Sequence, residues 1–428
     1  MSEAHVDFRI ERHRLANGLE VVVQPDARLP LVAVNLWYHV GSKNERPGKT
    51  GFAHLFEHML FQGSAHVETN GHFGHLQKIG GVANGSTWYD RTNYYETVPS
   101  HHLELALWLE SDRMGFLLPA MTADKLENQR EVVMNERRQR VDNRPYGRAF
   151  ETLNELLLPQ GHPYRWPVIG YMEDIAAARL DDVKSFFETH YRPNNAVLTL
   201  AGDCSPERGF ELAEKYFGDI PAGPAPPPVT LPAGELDGER RTVLEDDVEL
   251  PRIYLAYRIP AFGTREWLVA DLLATALTRG KSSPIYRDLV HRRQIAQDVS
   301  AAALPTELEA TWVVVATARP GTDPDRLLAA LDEHLERAAE RPQAPADLER
   351  SRNGLLTSYV EHLQGLDQRA DLLSQSYTFL GDPAAYRQRL RAYAEVEAAE
   401  AQRAAGDLLR ADRRAVVTVV PRTAGAER

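Results

Sequence analysis

The sequence has 428 residues and 43% of them are hydrophobic, so the chain is too apolar for a disordered protein and long enough for two or more domains. Its 61 acidic and 49 basic side chains give a formal net charge of −12, which disfavours nucleic acid and anionic membranes as general partners. No apolar run approaches the roughly 20 residues of a membrane span.

Two features concern the cellular compartment. The first residues lack a basic segment followed by an apolar core, so we see no signal peptide. The single cysteine, Cys204, excludes an intrachain disulfide and suits a reducing environment, and we interpret it as a packed core residue. We therefore expect a cytoplasmic protein, although an exported protein without its leader would show the same features.

The first informative elements are a strand and the helix that follows it. Residues 29–42 alternate apolar and polar side chains, which predicts a half-buried strand. Residues 51–64, GFAHLFEHMLFQGS, resemble a buried helix, yet they contain His54, Glu57 and His58. Buried charge is costly unless it is compensated, so these three side chains need an explanation.

A metal site provides that explanation. Residues four apart lie on one face of a helix, so His54 and His58 can direct two imidazole nitrogens at one point. A catalytic zinc has three protein ligands and an open position, and Glu57 is placed to accept a proton rather than to coordinate. The pattern H-x-x-E-H is the reversed form of the H-E-x-x-H metalloprotease motif and predicts a metal-binding helix.

Other histidines offer an alternative. His72 and His75 lie one helical turn apart and are the pair most easily mistaken for ligands. We interpret them as surface or loop residues without a role, together with His66, His101 and His102. A lone histidine is more often a hydrogen-bonded core residue than a metal ligand.

The third ligand is sought in residues 122–147, a strong helix-forming segment that ends at Asn-Arg-Pro. Leu126 and Val133 mark the buried stripe of this helix, and Glu136 continues it one turn further on. A carboxylate in line with a buried stripe needs a compensating cation, so we choose Glu136. Glu131 lies on a more solvated face and is the fallback ligand.

The two halves of the chain repeat one pattern. Residues 221–239 are rich in proline and glycine and predict a linker between domains at 1–220 and 240–428. The order strand, helix, closing strand recurs at nearly constant spacing on both sides of it, which indicates two copies of one domain. Strand pairs and clustered helices within each copy predict an α+β fold, a mainly antiparallel sheet with helices packed on it.

The second copy shows what the fold does not need. At the positions of the two histidines and the glutamate of the first copy it carries Asp271, Ala274 and Thr275. The polar residues of the first copy therefore belong to chemistry rather than to folding, and the C-terminal domain is expected to lack zinc ligands.

The chain resembles the pitrilysin-like zinc peptidases, in particular the short-chain branch that includes the processing peptidases. The segments that match are HLFEH at 54–58, GGVANGSTWYDRTNYYETVP at 80–99, QREVVMNERRQ at 129–139, YRPNNAVLTLAGD at 191–203 and, more loosely, GKSSPIYRDLVHRRQIAQDV at 280–299. The resemblance implies that His54, His58 and Glu136 bind one zinc ion per chain and that Glu57 is the general base on the zinc-bound water.

The resemblance also implies a substrate-binding strand. Residues 82–88 would form an edge strand on which an extended peptide pairs through main-chain hydrogen bonds, with Asn84, Gly85 and Ser86 as the contact residues. The alternative for Asn84-Gly85 is an ordinary turn.

Two departures from the family pattern lead to a prediction about partners. Gln129 stands where the family often has a glutamate, which weakens any supporting role there. Val290 and Gln297 stand where many relatives carry an arginine and a tyrosine that reach the substrate. We therefore expect a heterodimer with a homologous zinc-less subunit that supplies this pair, with a homodimer possible, and a closed cavity that admits peptides or unfolded segments.

Two other functions stay open at this point. One is a non-catalytic core subunit of the same fold, like those of respiratory complexes, although the intact HLFEH motif favours a zinc endopeptidase. The other is a purely structural zinc site, which requires a fourth protein ligand, and Glu131 is the available candidate.

Overall fold

A computed structural model of the chain describes residues 7–234 and 236–422. It divides into two compact units that are not contiguous in sequence. The first unit contains the described residues up to Arg137, together with Trp166–Thr230 and Tyr359–Gln388, and the second contains Arg138–Arg165, Leu231–Ser358 and the described residues from Arg389 onward. Each half of the sequence thus contributes one segment to the other unit.

The strands are short and regular. They are β1 (Glu11–Arg14), β2 (Glu20–Pro25), β3 (Leu31–Tyr38), β4 (Val82–Thr87), β5 (Thr92–Pro99), β6 (Ala196–Gly202), β7 (Arg240–Asp246), β8 (Arg252–Ile259), β9 (Ala296–Leu304), β10 (Ala310–Ala318) and β11 (Arg414–Pro421).

The helices lie between these strands in clusters. They are α1 (Phe52–Met59), α2 (Gly71–Lys78), α3 (Leu103–Phe116), α4 (Ala123–Arg137), α5 (Ala149–Leu157), α6 (Met172–Ala176), α7 (Leu180–His190), α8 (Pro206–Phe217), α9 (Arg265–Thr278), α10 (Pro324–Glu340), α11 (Pro345–His362), α12 (Leu366–Leu380), α13 (Ala385–Ala394) and α14 (Ala398–Leu408).

The sheet of the first unit has the strand order β1-β2-β6-β3-β5-β4. The β2–β6 pair is parallel and the other four pairs are antiparallel. Val32, Val34 and Leu36 alternate with residues of the opposite face and enter the main core cluster of this unit. Strand β4 is the last strand in this order, so it forms one edge of the sheet, and it packs against helix α1.

The sheet of the second unit has the order β7-β11-β8-β10-β9, and β7–β11 is its parallel pair. This order repeats that of β2-β6-β3-β5-β4, strand for strand. The prediction of an α+β fold with a repeated, mainly antiparallel sheet is therefore confirmed.

The exchanged segments each carry a helix that packs on the sheet of its new unit. In the first unit, α12 covers one sheet face, where Ser374 donates to Thr199 over 2.8 Å and Trp37 donates to Asp371 over 2.9 Å. In the second unit, α5 packs on β8, where the rings of Phe150 and Tyr254 lie 5.4 Å apart. The domains predicted at 1–220 and 240–428 are each continuous in sequence, so they do not include this exchange of segments. They were inferred from the sequence repeat, which does not show on which sheet each helix packs.

One finding concerns membranes. Over residues 7–234 and 236–422, no helix combines the length and apolar character that crossing a bilayer requires.

Candidate metal centre

Helix α1 starts at a tight, buried corner of the chain. Gly51 precedes it with φ of +83°, and a side chain there would lie 2.6 Å from the carbonyl oxygen of Ile169. The amides of Gly51 and Ala53 donate to the buried carboxyl group of Glu45 over 2.9 and 2.8 Å. An acceptor at a helix N-terminus satisfies amides that have no partner within the helix. These contacts set the direction of α1.

The two faces of α1 have different tasks. Leu55, Phe56 and Met59 are buried in the core, and the Phe56 ring lies 5.1 Å from that of Tyr191. The helical period places the predicted polar residues on the other face, where their side chains are partly exposed. The apolar face holds the helix, and the polar face remains available for chemistry.

Helix α4 brings the third candidate ligand to this face. Its buried residues include Leu126 and Val133, and Arg137 at its end donates to the Gly170 carbonyl over 2.8 Å. This packing directs Glu136 toward α1. Glu131 is exposed on the same helix and lies outside the group of candidate ligands.

The three candidate ligands converge. Oε2 of Glu136 lies 3.2 Å from Nε2 of His58 and 3.8 Å from Nε2 of His54. Zinc–ligand bonds of about 2.1 Å in a tetrahedral site imply ligand atoms about 3.4 Å apart. Two imidazole nitrogens and one carboxylate are also a donor set that zinc accepts. The residues present therefore fit a zinc ion with three protein ligands.

Glu57 lies beside this group without joining it. Its Oε2 accepts a hydrogen bond of 2.7 Å from Thr87 Oγ1 on β4. Burial raises the pKa of Glu57, while the Thr87 hydroxyl and the neighbouring His58 act in the opposite direction. A carboxylate with a raised pKa, fixed by one hydrogen bond, can exchange protons with a reactant next to the three ligands.

The predicted substrate residues lie within β4, so Asn84-Gly85 is part of a strand and not a turn. Gly85 faces α1, since a Cβ added to it would lie 3.1 Å from Cγ of Glu57. Side chains alternate along a strand, so Asn84 and Ser86 face the opposite side of the sheet. The strand thus lies against Glu57 with one face and carries polar groups on the other.

The interpretation of His72 as a surface or loop residue is wrong, because His72 lies on α2 and is only 4% exposed. His75 lies on the same helix with a side chain that is 34% exposed, so it is a surface residue as expected. His72 forms a second group of potential ligand atoms with Glu96 and Glu110. The guanidinium of Arg113 already pairs with Glu110, with Nε 3.0 Å from Oε2, so the group has its own cation.

The positions that depart from the family pattern are also located. Gln129 is buried on α4 and donates to Asn128 over 2.8 Å. In the second unit, Val290 is buried in a π-helix, Tyr286–Arg292, and Gln297 is exposed on β9.

Sequence reasoning missed Glu45, Thr87 and Arg91. Glu45 and Thr87 act on α1 from a loop and from a strand, and neither belongs to a periodic pattern. Arg91 donates to the carbonyl and hydroxyl oxygens of Ser86 over 2.8 and 2.7 Å, which fixes the end of β4. Thr87 and Arg91 lie within the matched segment at 80–99, and this match was the available signal for them.

Comparisons with known proteins identify the family of the chain. Residues 20–162 match the family described as Insulinase (Peptidase family M16), and residues 177–355 match the Peptidase M16 inactive domain. The ligand candidates all lie in the first of these matches. The chain is 30% identical to the zinc protease PqqE of Helicobacter pylori over 86% of this chain and 84% of the relative.

A second relative and a solved structure extend the comparison. The chain is 27% identical to the mitochondrial-processing peptidase subunit beta of Lentinula edodes, over 58% of this chain and 53% of that protein. The crystal structure of a protease from Helicobacter pylori superimposes with a TM-score of 0.91 at 27% identity, covering 97% of this chain and all of that chain. The chain belongs to the M16 family of pitrilysin-like zinc peptidases.

Proposed function

We propose that this chain is a zinc-dependent endopeptidase. The observation that carries the proposal is Glu57, which is held by Thr87 beside the converging side chains of His54, His58 and Glu136. A general base next to three metal ligands is the arrangement of metal-assisted hydrolysis.

Zinc, when bound to these ligands, would act as a Lewis acid on the peptide carbonyl and would lower the pKa of a water molecule. Glu57 accepts a proton from the attacking water, because its carboxylate is directed by Thr87 and its pKa is raised by burial. The same carboxyl group then donates this proton to the leaving nitrogen of the peptide.

The substrate in this proposal is an extended peptide that adds a strand to β4. This strand ends the sheet order, and its outer edge has no strand partner among the described residues. Val82 at its start is 69% exposed. Main-chain groups of Asn84, Gly85 and Ser86 would pair with the peptide, which gives affinity without a strict sequence requirement.

The partner stays a proposal as well. Val290 and Gln297 offer neither the positive charge nor the phenol expected at their positions, so a homologous zinc-less subunit would supply those groups in a heterodimer, with a homodimer as the alternative. One relative is named as a subunit, which supports a paired assembly. A cytoplasmic location remains a prediction that rests on the lone cysteine.

A non-catalytic core subunit is the competing function. The name of the domain that matches residues 177–355 favours it. That match includes none of the candidate ligands, which all lie in the other half of the chain. The intact set of ligands and base in the other half supports the enzyme.

The decisive experiment compares Glu57→Gln with the wild-type chain, each purified as the native complex that it forms, loaded with zinc and given an unfolded peptide. We expect the variant to retain one zinc per chain and to hydrolyse the peptide at least about a hundredfold more slowly. Equal hydrolysis by the variant would disprove the mechanism. Full turnover by the isolated wild-type chain would disprove the requirement for a different partner.

A further inference from the structure

The middle of the edge strand β4 has a main-chain donor that points away from the sheet. Trp88 N donates to the Arg91 carbonyl over 2.8 Å, so these two residues form a hydrogen-bonded pair at the β4–β5 turn. Along an antiparallel ladder, hydrogen-bonded and non-hydrogen-bonded pairs alternate, and the register makes Gly85 and Tyr94 a non-hydrogen-bonded pair. The N–H group of Gly85 is therefore directed toward the outer edge of the strand.

The side chain of Asn84 occupies this donor. Its Oδ1 accepts a hydrogen bond of 2.9 Å from Gly85 N. Gly85 is buried although it lies on an edge strand, whereas Asn84 is exposed. Open main-chain groups at a sheet edge invite pairing with other chains, and proteins commonly cover them. The Asn84 amide covers the middle of β4, where the carbonyl oxygen of an added strand would otherwise lie.

The Asn84 amide is held in this place by a single interaction. Among the residues that the structure describes, its side chain makes no hydrogen bond other than the one to Gly85. A neutral hydrogen bond shifts an equilibrium by only about two- to tenfold, so the side chain can leave when another acceptor replaces it. The Gly85 N–H group has one hydrogen, which bonds well to Asn84 Oδ1 or to a peptide carbonyl but not to both.

We propose that the side chain of Asn84 competes with the bound peptide for the main-chain donor of Gly85. The inference rests on the proposed function, in which an extended peptide adds a strand to β4. The Asn84 side chain rotates away before a peptide carbonyl accepts from Gly85, so one hydrogen bond is exchanged for another. Asn84 therefore lowers the affinity for peptides whatever their side chains. Of the three proposed contact residues, Gly85 supplies the central main-chain donor and Asn84 opposes its use.

Peptide binding to variants of Asn84 tests the competition. Zinc-loaded protein that carries Glu57→Gln, purified as its native complex, is titrated into a fluorescent unfolded peptide without charged side chains, and anisotropy gives Kd. Adding Asn84→Ala removes the competing acceptor and should lower Kd about two- to tenfold. Adding Asn84→Asp places a charged acceptor beside the same N–H group, which holds it more strongly and should raise Kd by a similar factor.

The opposite role for Asn84 is a direct hydrogen bond from its side chain to the peptide. That role predicts a higher Kd for Asn84→Ala, so a raised or unchanged Kd overturns the inference. Gln77→Ala is the matched control, because it removes an exposed amide side chain from α2 that forms no hydrogen bond in the described part of the chain. Its Kd should equal that of the Glu57→Gln protein. If Asn84→Ala fails to fold, Asn84→Asp decides, and a lowered or unchanged Kd overturns the inference.

Hydrogen exchange tests the contact between Asn84 and Gly85 without any peptide. With ¹⁵N-labelled glycine in the full chain, the Gly85 amide should exchange about fivefold more slowly in the wild type than in Asn84→Ala, the factor that one hydrogen bond provides. A saturating peptide should then protect this amide to a similar extent in both proteins, because the peptide carbonyl takes the same donor. Equal exchange of the Gly85 amide in the two peptide-free proteins overturns the inference.

Hydrolysis by the wild-type complex, measured separately, distinguishes the inference from the proposed function. The expected order of Kd values without hydrolysis would uphold the competition and disprove the proposed peptidase. Hydrolysis with a Kd that Asn84→Ala does not lower would uphold the peptidase and disprove the competition. Absence of peptide binding by every variant would disprove the competition as well.

Discussion

The hydroxyl of Thr87 donates a 2.7 Å hydrogen bond to Oε2 of Glu57, and so links the edge strand β4 to helix α1. The strand proposed to hold the substrate therefore also directs the proposed general base. Placement of the peptide and orientation of the base depend on one element, because Gly85 on the same strand leaves room for Glu57, where a Cβ would lie 3.1 Å from its Cγ.

The first prediction concerns this hydrogen bond. Thr87→Val keeps the shape of the side chain but removes the donor, so we expect kcat to fall about tenfold with little change in KM and with zinc retained. Steady-state kinetics and metal analysis on the same sample measure both effects. Thr69→Val is the control, because the Thr69 hydroxyl bonds the Gln62 carbonyl in an exposed loop. An unchanged kcat for Thr87→Val would show that the bond does not orient the base.

The second prediction distinguishes the two glutamates of α4. Glu136→Gln removes an anionic ligand and should weaken zinc binding at least about tenfold. Loss of a residue that only hydrogen-bonds a metal ligand already lowers metal affinity by that factor. Glu131→Gln changes an exposed carboxylate on the same helix and should leave zinc binding as in the wild type. Competition with a chelator of known affinity gives both constants. If Glu131→Gln weakened zinc binding and Glu136→Gln did not, Glu131 and not Glu136 would be the third ligand.

The third prediction concerns the space between β4 and α1. A Cβ at position 85 would lie 3.1 Å from Cγ of Glu57 and 3.2 Å from Cε2 of Phe61. Gly85→Val should therefore displace Glu57 and lower kcat at least about tenfold, since small misplacements of a catalytic group are costly. Gly74→Val is the matched control, because nothing lies within 4 Å of a Cβ at that position of α2. Equal activity of both variants would contradict the close contact.

The local part of the site could be predicted from the sequence. His54, Glu57 and His58 are related by the helical period, and Glu136 follows the buried stripe of its own helix. These relations hold within a single helix and do not depend on the tertiary fold. The strand of residues 29–42 was visible for the same reason, since its alternation is a local property.

The remaining features depend on contacts between distant segments. Thr87 lies thirty positions from Glu57, and the hydrogen bond between them exists only because β4 packs against α1. The exchange of residues 138–165 and 359–388 between the units is equally non-local, because an amphipathic helix does not specify which of two similar sheets it covers. The burial of His72 was missed because α2 presents few apolar residues.

The fourth prediction is a metal count of one per chain. His72, Glu96 and Glu110 bring their ligand atoms within 4.8 Å of one another, as the proposed zinc ligands do. Arg113 pairs with Glu110 there, and burial raises the pKa of Glu96 and lowers that of His72, so the charges are balanced without a metal ion. Metal analysis of His72→Gln should give the wild-type zinc content, whereas His58→Gln should lose it. Two zinc ions in the wild type, falling to one in His72→Gln, would refute this assignment.

The last prediction concerns stability in acid and the imidazole of His190 at the end of α7. This side chain is buried, its Nδ1 has no hydrogen-bond partner in the described structure, and its ring lies 4.7 Å from that of Phe186. Burial lowers the pKa of His190 to about 4, from the ordinary value of 6.5.

The unfolded chain therefore binds more protons than the folded chain between pH 6.5 and 4, so the contribution of His190 to stability is complete above pH 6.5 and is lost as the pH falls toward 4. Between pH 7 and pH 5 this loss amounts to about 1 to 2 kcal/mol of the free energy of unfolding. His190→Phe removes the titrating ring and should reduce the pH dependence of unfolding by that amount, whatever its stability at pH 7. Urea unfolding of the wild type and of His190→Phe at pH 7 and pH 5 measures this change in the free energy of unfolding. His190→Gln is the second variant, and it tests that the change does not arise from altered packing. If the free energy of unfolding of both variants depended on pH as in the wild type, His190 would not be the buried base that causes the loss of stability in acid.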